Sequence, residues 1–230
     1  MHSGALEAIN DLELFEGRNA VAIQNSAGAW EVLQFRDAVL MGSDTYELST
    51  FLRGQAGTET AMDTPVAAGA PFVLINGAVV QANLDAGDVG REKIWRYGPA
   101  SLDPAAPSYR ETAHTFLGLG LRPFSPVHVR GKTVGAGVEF TWMRRTRING
   151  DSWEQLDVPL AEDEERYQID VLNGSGNPIR LLEASQTSMI YQTIDIVSDF
   201  GAVPSSINLV IYQVSPTFGR GAPGLATIQL

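Results

Sequence analysis

The sequence predicts an all-β protein, with a small β-rich N-terminal domain over residues 1–122 followed by a β-sandwich over residues 123–230. Three observations predict it. Apolar residues recur at alternate positions in short runs, the period of a half-buried strand and not of a helix. Twenty-three glycines and twelve prolines fall between those runs as turn signals. Hydrophobic residues make up 44% of the 230-residue chain, enough for a packed core.

Residues 7–14 fit either a helical turn or a strand, and both readings stay open. Residues 19–24 (NAVAIQ) form the first clear strand. The turn Asn25-Ser26-Ala27-Gly28 leads into residues 30–41, where Trp30 and Val32 alternate before the set shifts to Phe35, Ala38 and Leu40. That shift predicts a bulge near Gln34. Residues 46–52 continue the sheet. Residues 71–75 are compact and apolar, and Asn76-Gly77 signals a hairpin into a further strand over residues 79–84. Residues 91–97 and 111–117 are two more strands, separated by a loop carrying Pro99, Pro104 and Pro107. Trp30 and Trp95, on strands, read as core.

Two prolines in Arg122-Pro123-Phe124-Ser125-Pro126 stiffen the chain and mark the domain boundary. Beyond it, residues 127–134 form a strand. Val138, Phe140 and Trp142 alternate with polar residues, and Tyr167, Ile169 and Val171 do the same. The turn Asn173-Gly174-Ser175-Gly176 leads to residues 179–182, and residues 189–193 add a strand. A helical turn over residues 195–200 ends at Gly201. Residues 207–214, nearly all apolar, read as a central strand, and residues 226–230 close the sheet. Seven short strands in so few residues are the pattern of a two-sheet sandwich.

The formal charge is −11 and both halves are acidic, which disfavours a phosphate backbone as partner: no nucleic acid is expected. Arginine dominates the basic residues, with Lys93 and Lys132 the only lysines. The absence of cysteine excludes disulfides and thiolate metal sites. No apolar run is long enough to span a bilayer, and residues 1–10 lack the pattern of a secretory signal.

Little in the sequence points to a reaction. The three histidines, His2, His114 and His128, have no carboxylate cluster beside them. No Gly-x-Ser-x-Gly elbow occurs. Residues 219–224 (GRGAPG) match the dinucleotide fingerprint by letter, but Pro223 forbids the helix it requires, so they read as a turn. The acidic run at residues 162–165 lacks the spacing of a calcium loop. It reads as the partner of Arg144, Arg145 and Arg147, with Arg145 opposite Glu164. Residues 52–58 read as a structural corner in which Arg53 reaches a carbonyl or a carboxylate. No cofactor, metal or catalytic residue is expected, and the protein is read as non-enzymatic.

The candidate contact site is the loop after Arg147. Trp153 is placed to stack on a sugar ring or insert into a partner, with Asn149, Asp151 and Glu154 as hydrogen-bonding neighbours. A tryptophan folded back over the sandwich is the competing reading.

Pro126, Trp142, Tyr167, the strand around Tyr191 and the string LVIY at residues 209–212 resemble a fibronectin type III domain in the C-terminal half. A narrower resemblance rests on WEVLQF (30–35), LRGQAGT (52–58), TWMRRTR (141–147), GDSW (150–153), DFG (199–201), QVS (213–215) and GRG (219–221). Together they look like the C-terminal region of the large baseplate hub protein of gene transfer agents and related siphophages. Long members of that family begin with a TIM-barrel-like, hydrolase-like region, which has no counterpart here. The resemblance implies a structural role at the tail tip or baseplate of a virion assembled in the host cytoplasm. It implies a homotrimer around the tail axis, hub, distal-tail and fibre proteins as partners, and engagement of the host surface. The alternatives are a carbohydrate-binding adhesion module that contacts host polysaccharide, and an accessory domain of a secreted glycoside hydrolase.

Overall fold

The computed structural model describes residues 5–150 and 157–230. The protein is nearly all β, with 43% of residues in strands and 10% in helices, arranged as several antiparallel sheets.

Residues 7–14, open in the sequence, end in a short helix, α1 (Asp11–Phe15). Its start is fixed by a capping box: the Glu13 N–H donates to Asn10 Oδ1 at 3.0 Å, and the Asn10 N–H donates to the Glu13 carboxylate at 3.1 Å. Four strands follow, β1 (Ala20–Gln24), β2 (Trp30–Gly42), β3 (Thr45–Gln55) and β4 (Phe72–Leu74), in the order β3-β2-β1-β4. Asn25 builds the β1–β2 turn by accepting the Ala27 and Ala29 N–H groups at 3.0 and 2.8 Å. Val21, Leu33 and Phe35 are the buried centre of a small core. Gln34, also buried, donates to the carbonyls of Leu14 and Arg18 and ties the end of α1 to the sheet.

The bulge expected near Gln34 is present, but the extra residue belongs to β3. Val32 pairs with Gln55 and Gln34 with Leu52, which leaves Arg53 and Gly54 together opposite Leu33. Two expectations fail. Residues 79–84 form no strand: Asn76 Oδ1 accepts the Ala78 N–H and the Val79 N–H bonds back to Asn76, so the chain turns without returning along β4. Every residue from 79 to 84 is exposed, so no buried face pins a ladder there. Trp30 is exposed, because it stands at the hairpin end of β2 beyond the small core. The hairpin β5 (Glu92–Tyr97) and β6 (Arg110–Thr115) stands as a separate two-stranded sheet. Trp95, also expected in the core, is only half-buried, because no second layer covers this hairpin; it and His114 both meet the Phe116 ring edge-on, at 5.4 and 4.5 Å between centroids.

The C-terminal half contains β7 (Val127–Val134), β8 (Gly137–Met143), β9 (Tyr167–Leu172), β10 (Pro178–Ala184), β11 (Ser188–Gln192), α2 (Thr193–Phe200), β12 (Ser206–Ser215), β13 (Gly219–Arg220) and β14 (Gly224–Gln229). One sheet has the order β11-β8-β7. The other has the order β10-β9-β12, with β13 and β14 sharing the far edge of β12. Phe140, Trp142, Tyr167, Ile169, Tyr191, Leu209 and Ile211 fill the space between them. Each such side chain contributes about 1.5–3 kcal/mol by leaving water. Trp142 meets Tyr167 edge-on at 5.1 Å, where a large aromatic bridges the two layers. The helical turn is α2, and it ends as its sequence requires: Gly201 takes φ +78° and its N–H bonds the Val197 carbonyl.

Two glycines are needed for close approach. A Cβ on Gly131 would lie 2.1 Å from Ile228 Cγ2, so the bare backbone of β7 lets β14 close the open side of the sandwich. A Cβ on Gly137 would lie 2.0 Å from the Tyr191 carbonyl oxygen of the paired strand β11.

Candidate functional site

Three arginines leave the end of β8 in different directions and shape everything around the candidate loop. The chain breaks out of the sheet after Met143, and no ladder then fixes Arg144, Arg145 and Arg147. Arg144, mostly buried, donates to Glu165 Oε1 at 3.1 Å, Asp157 Oδ2 at 2.8 Å and the Val158 carbonyl at 2.7 Å. Arg147 donates to the Ala161 carbonyl at 3.0 Å and to buried Glu162 at 2.9 Å. These bonds close both sides of the loop onto the sandwich. Each is charge-assisted and directional, so the guanidinium groups fix the course of the loop base.

Arg145 turns the other way. It pairs with Glu59, on a single 3-10 turn (Glu59–Ala61) of the N-terminal half, donates to Ser125 Oγ at 3.2 Å, and lies over the Phe124 ring at 5.0 Å. The pairing with Glu164 read from the sequence is therefore replaced by one to Glu59. The neighbouring contacts reinforce it. Arg122 donates to the Gly57 carbonyl at 3.1 Å and to Thr60 Oγ1 at 3.3 Å. The Phe124 ring lies flush on Gly57, where an added Cβ would come within 2.4 Å of Cε1. Glu59, Gly57, Arg122, Phe124 and Arg145 thus form a joint between residues far apart in the chain. No periodicity or motif in the sequence announces it; the only signals are an aromatic between two prolines and a basic residue beside it.

Of the four predicted contact residues, Asn149 is exposed in a left-handed backbone conformation at φ +48°. Asp151, Trp153 and Glu154 lie outside the described residues. The predicted corner at residues 52–58 is built as read. Arg53 makes a two-pronged pair with buried Glu31, at 2.5 and 2.6 Å, and donates to the Asp63 carbonyl at 3.0 Å. Gly219 and Arg220 are in strand β13, and Arg220 holds Asp170 at 2.6 and 2.9 Å while lying 4.6 Å over Tyr212. His114 packs on Phe116, and His128 sits in the register shift at the start of β7 with φ +52°.

The electrostatics favour fixed geometry over proton transfer. Burial, together with Glu165, pushes the Tyr167 phenol well above its ordinary value, so it stays a hydrogen-bond donor to that carboxylate at 2.9 Å. Burial and Asp199 do the same to Tyr191. Among the described residues no group of three or more histidines and carboxylates is arranged to hold a metal ion. No helix of the described residues is long and apolar enough to cross a membrane.

A search of curated proteins finds no match. Among solved structures, the rat CD45 extracellular region, domains d3–d4, aligns over 99% of both chains at 12% identity, with a TM-score of 0.34, too loose a likeness to bear on this chain. Residues 1–73 match a family model described as Rcc01698-like, C-terminal, named for a gene transfer agent-associated protein.

Proposed function

We propose that this chain is a non-enzymatic structural component of the tail tip or baseplate of a phage or gene transfer agent. The observation that carries the reading is the family match over residues 1–73. That segment contains α1, strands β1 to β3, the start of β4 and the Arg53–Glu31 corner, together with the strings at 30–35 and 52–58. In this reading the sandwich is a fibronectin type III-like domain. A three-stranded sheet against a larger one, with Trp142 and Tyr167 in contact across the layers, supports that assignment. A fold of that kind does not by itself specify a chemistry.

The arginine joint suits the role, because it ties the N-terminal sheet to the sandwich. Hub, distal-tail and fibre proteins are the proposed partners, with three copies of the chain around the tail axis and the outer loops toward the host surface. The test is fractionation of a producing culture on a density gradient with an antibody to the chain. Co-sedimentation with tail-bearing particles supports the role; recovery of the chain only in the soluble fractions rejects it.

A further inference from the structure

The chain holds two hydrophobic cores that share no residue. One is built from Val21, Leu33 and Phe35 and the partly buried residues packed on them, none later than Leu74. The other contains no residue earlier than Val129. No strand ladder crosses from one body to the other. The chain of 24.8 kDa exposes 14,823 Å². A compact monomer of that mass exposes about 10,000 Å². The surplus is that of two small bodies and an exposed connection.

The connection does not hold the bodies together. Residues 76–121 run from one to the other, and among their described residues none is buried. Their hydrogen bonds and the Asp88–Lys93 pair stay inside the segment, up to the turn into Arg122. The stiff stretch that follows, residues 122–126, is packed on the sandwich. Pro123 and Pro126 are buried there. The Ala222 N–H donates to the Pro123 carbonyl at 2.8 Å. A Cβ on Gly221 would lie 2.7 Å from that oxygen, and one on Gly224 would lie 2.4 Å from the Pro126 oxygen. The proline stretch therefore moves with the sandwich, and the first free pivot lies before it, at residues 118–121. Gly118 takes φ +65° there, and nothing lies within 4 Å of a Cβ built on Gly120.

The joint is then what fastens one body to the other. Among the described residues, the hydrogen bonds and ion pairs that bridge them are the Arg145–Glu59 pair and the bonds from Arg122 to Gly57 and Thr60. The Phe124 ring on Gly57 completes the contact. Between domains, relative motion is the default unless the interface is large and apolar, and this one is small and charged. The Arg145 and Glu59 side chains are 33% and 28% exposed, so dissolved ions reach both. We infer that the joint is a reversible latch closed by charge: the sandwich docks on residues 57–60, or swings free about residues 118–121 on the 76–121 tether. Closing is intramolecular, so the tether keeps each body at high effective concentration about the other and a weak joint suffices. Salt opens the latch, because the screening length falls from about 10 Å at 0.1 M to about 3 Å at 1 M. The latch is a property of the single chain, independent of the particle to which the chain belongs.

Single-molecule energy transfer in the full chain tests it. The sequence has no cysteine, so Ala27→Cys and Thr217→Cys, both in exposed turns, place one dye on each body. At low salt one high-transfer population is expected. At about 1 M salt a broad low-transfer population grows several-fold. Arg145→Glu produces that population at low salt, and adding Glu59→Arg to it restores the high-transfer state by exchanging the two charges. Phe124→Ala opens the joint without touching a charge. None of these three residues belongs to a core cluster, so the far-UV dichroism of each variant stays that of the parent. A single population that neither salt nor Arg145→Glu nor Phe124→Ala changes overturns the inference. So does a low-transfer state in the parent chain at low salt.

Discussion

Arg53 and Glu31 form the best-buried ion pair of the N-terminal sheet: the Glu31 carboxylate is 1% exposed, grips the guanidinium through two oxygens, and also accepts the Gly54 N–H at 3.0 Å. The β3 bulge makes this possible by turning Gly54 to φ +61° and bringing its N–H toward β2.

The partners of this pair are not equivalent. Arg53→Met strands a carboxylate that water cannot reach, whereas Glu31→Gln leaves an arginine that is still partly solvated. Arg53→Met is expected to destabilise the N-terminal sheet by about 3 kcal/mol or more. Glu31→Gln should cost roughly half that, since the amide retains an acceptor. Denaturant-dependent hydrogen exchange of the β1–β3 amides in both variants checks the order.

The joint between the halves gives a second expectation. Arg145 and Glu59 are each about a third exposed, so a double-mutant cycle should return a coupling of about 1 kcal/mol. The same cycle on Arg145 and Glu164 should return none. Gly57→Ala puts a methyl group into the Phe124 ring at a residue with φ +76°, and a loss of about 1–3 kcal/mol is expected in chemical denaturation.

In the sandwich, Gly137→Ala should be among the most damaging single changes. Its Cβ meets a paired backbone carbonyl, not the mobile end of a side chain, so β8 and β11 must separate to admit it. A loss of about 3 kcal/mol is expected. Gly131→Ala meets the β-branch of buried Ile228, a stiff side chain, and should also destabilise, but by less, because it meets no backbone atom. Thermal melts of the two variants make the comparison.

Acid should loosen α2 in a defined direction. Arg180 beside Asp199, with the Tyr191 hydroxyl also donating, holds the Asp199 carboxyl below its ordinary 3.8. The unfolded chain therefore takes up this proton at a higher pH than the folded chain, and stability rises with pH across that interval. The contribution is whole above the unfolded value and disappears as pH falls through the folded one. Asp199→Asn should flatten this part of the stability profile, with the gap between variant and wild type closing at low pH. Denaturant titrations at a series of acidic pH values measure it.

The strands were legible because their signal is local. Val138, Phe140 and Trp142, or Tyr167, Ile169 and Val171, alternate as a sheet face must, and the turns at Asn25 and Asn173 carry their own side-chain acceptors. The failures share a cause. Val79 and Val80 look like strand residues, yet a strand needs a partner edge that sequence alone does not supply. Trp30 looks like core, yet its burial depends on what covers the hairpin end. The site divides the same way. The corner around Arg53 is legible because its glycines are local, while the choice of Arg145 between Glu164 and Glu59 is set by how the halves meet, 86 residues apart in sequence.

The direct test of the assembly role is cryo-electron microscopy of purified tail particles in which the chain carries a small folded tag at its C-terminus. The proposed role predicts a symmetric set of tag densities at the tip of the tail. Tags absent from every particle, or distributed over heads and shafts without order, would contradict it.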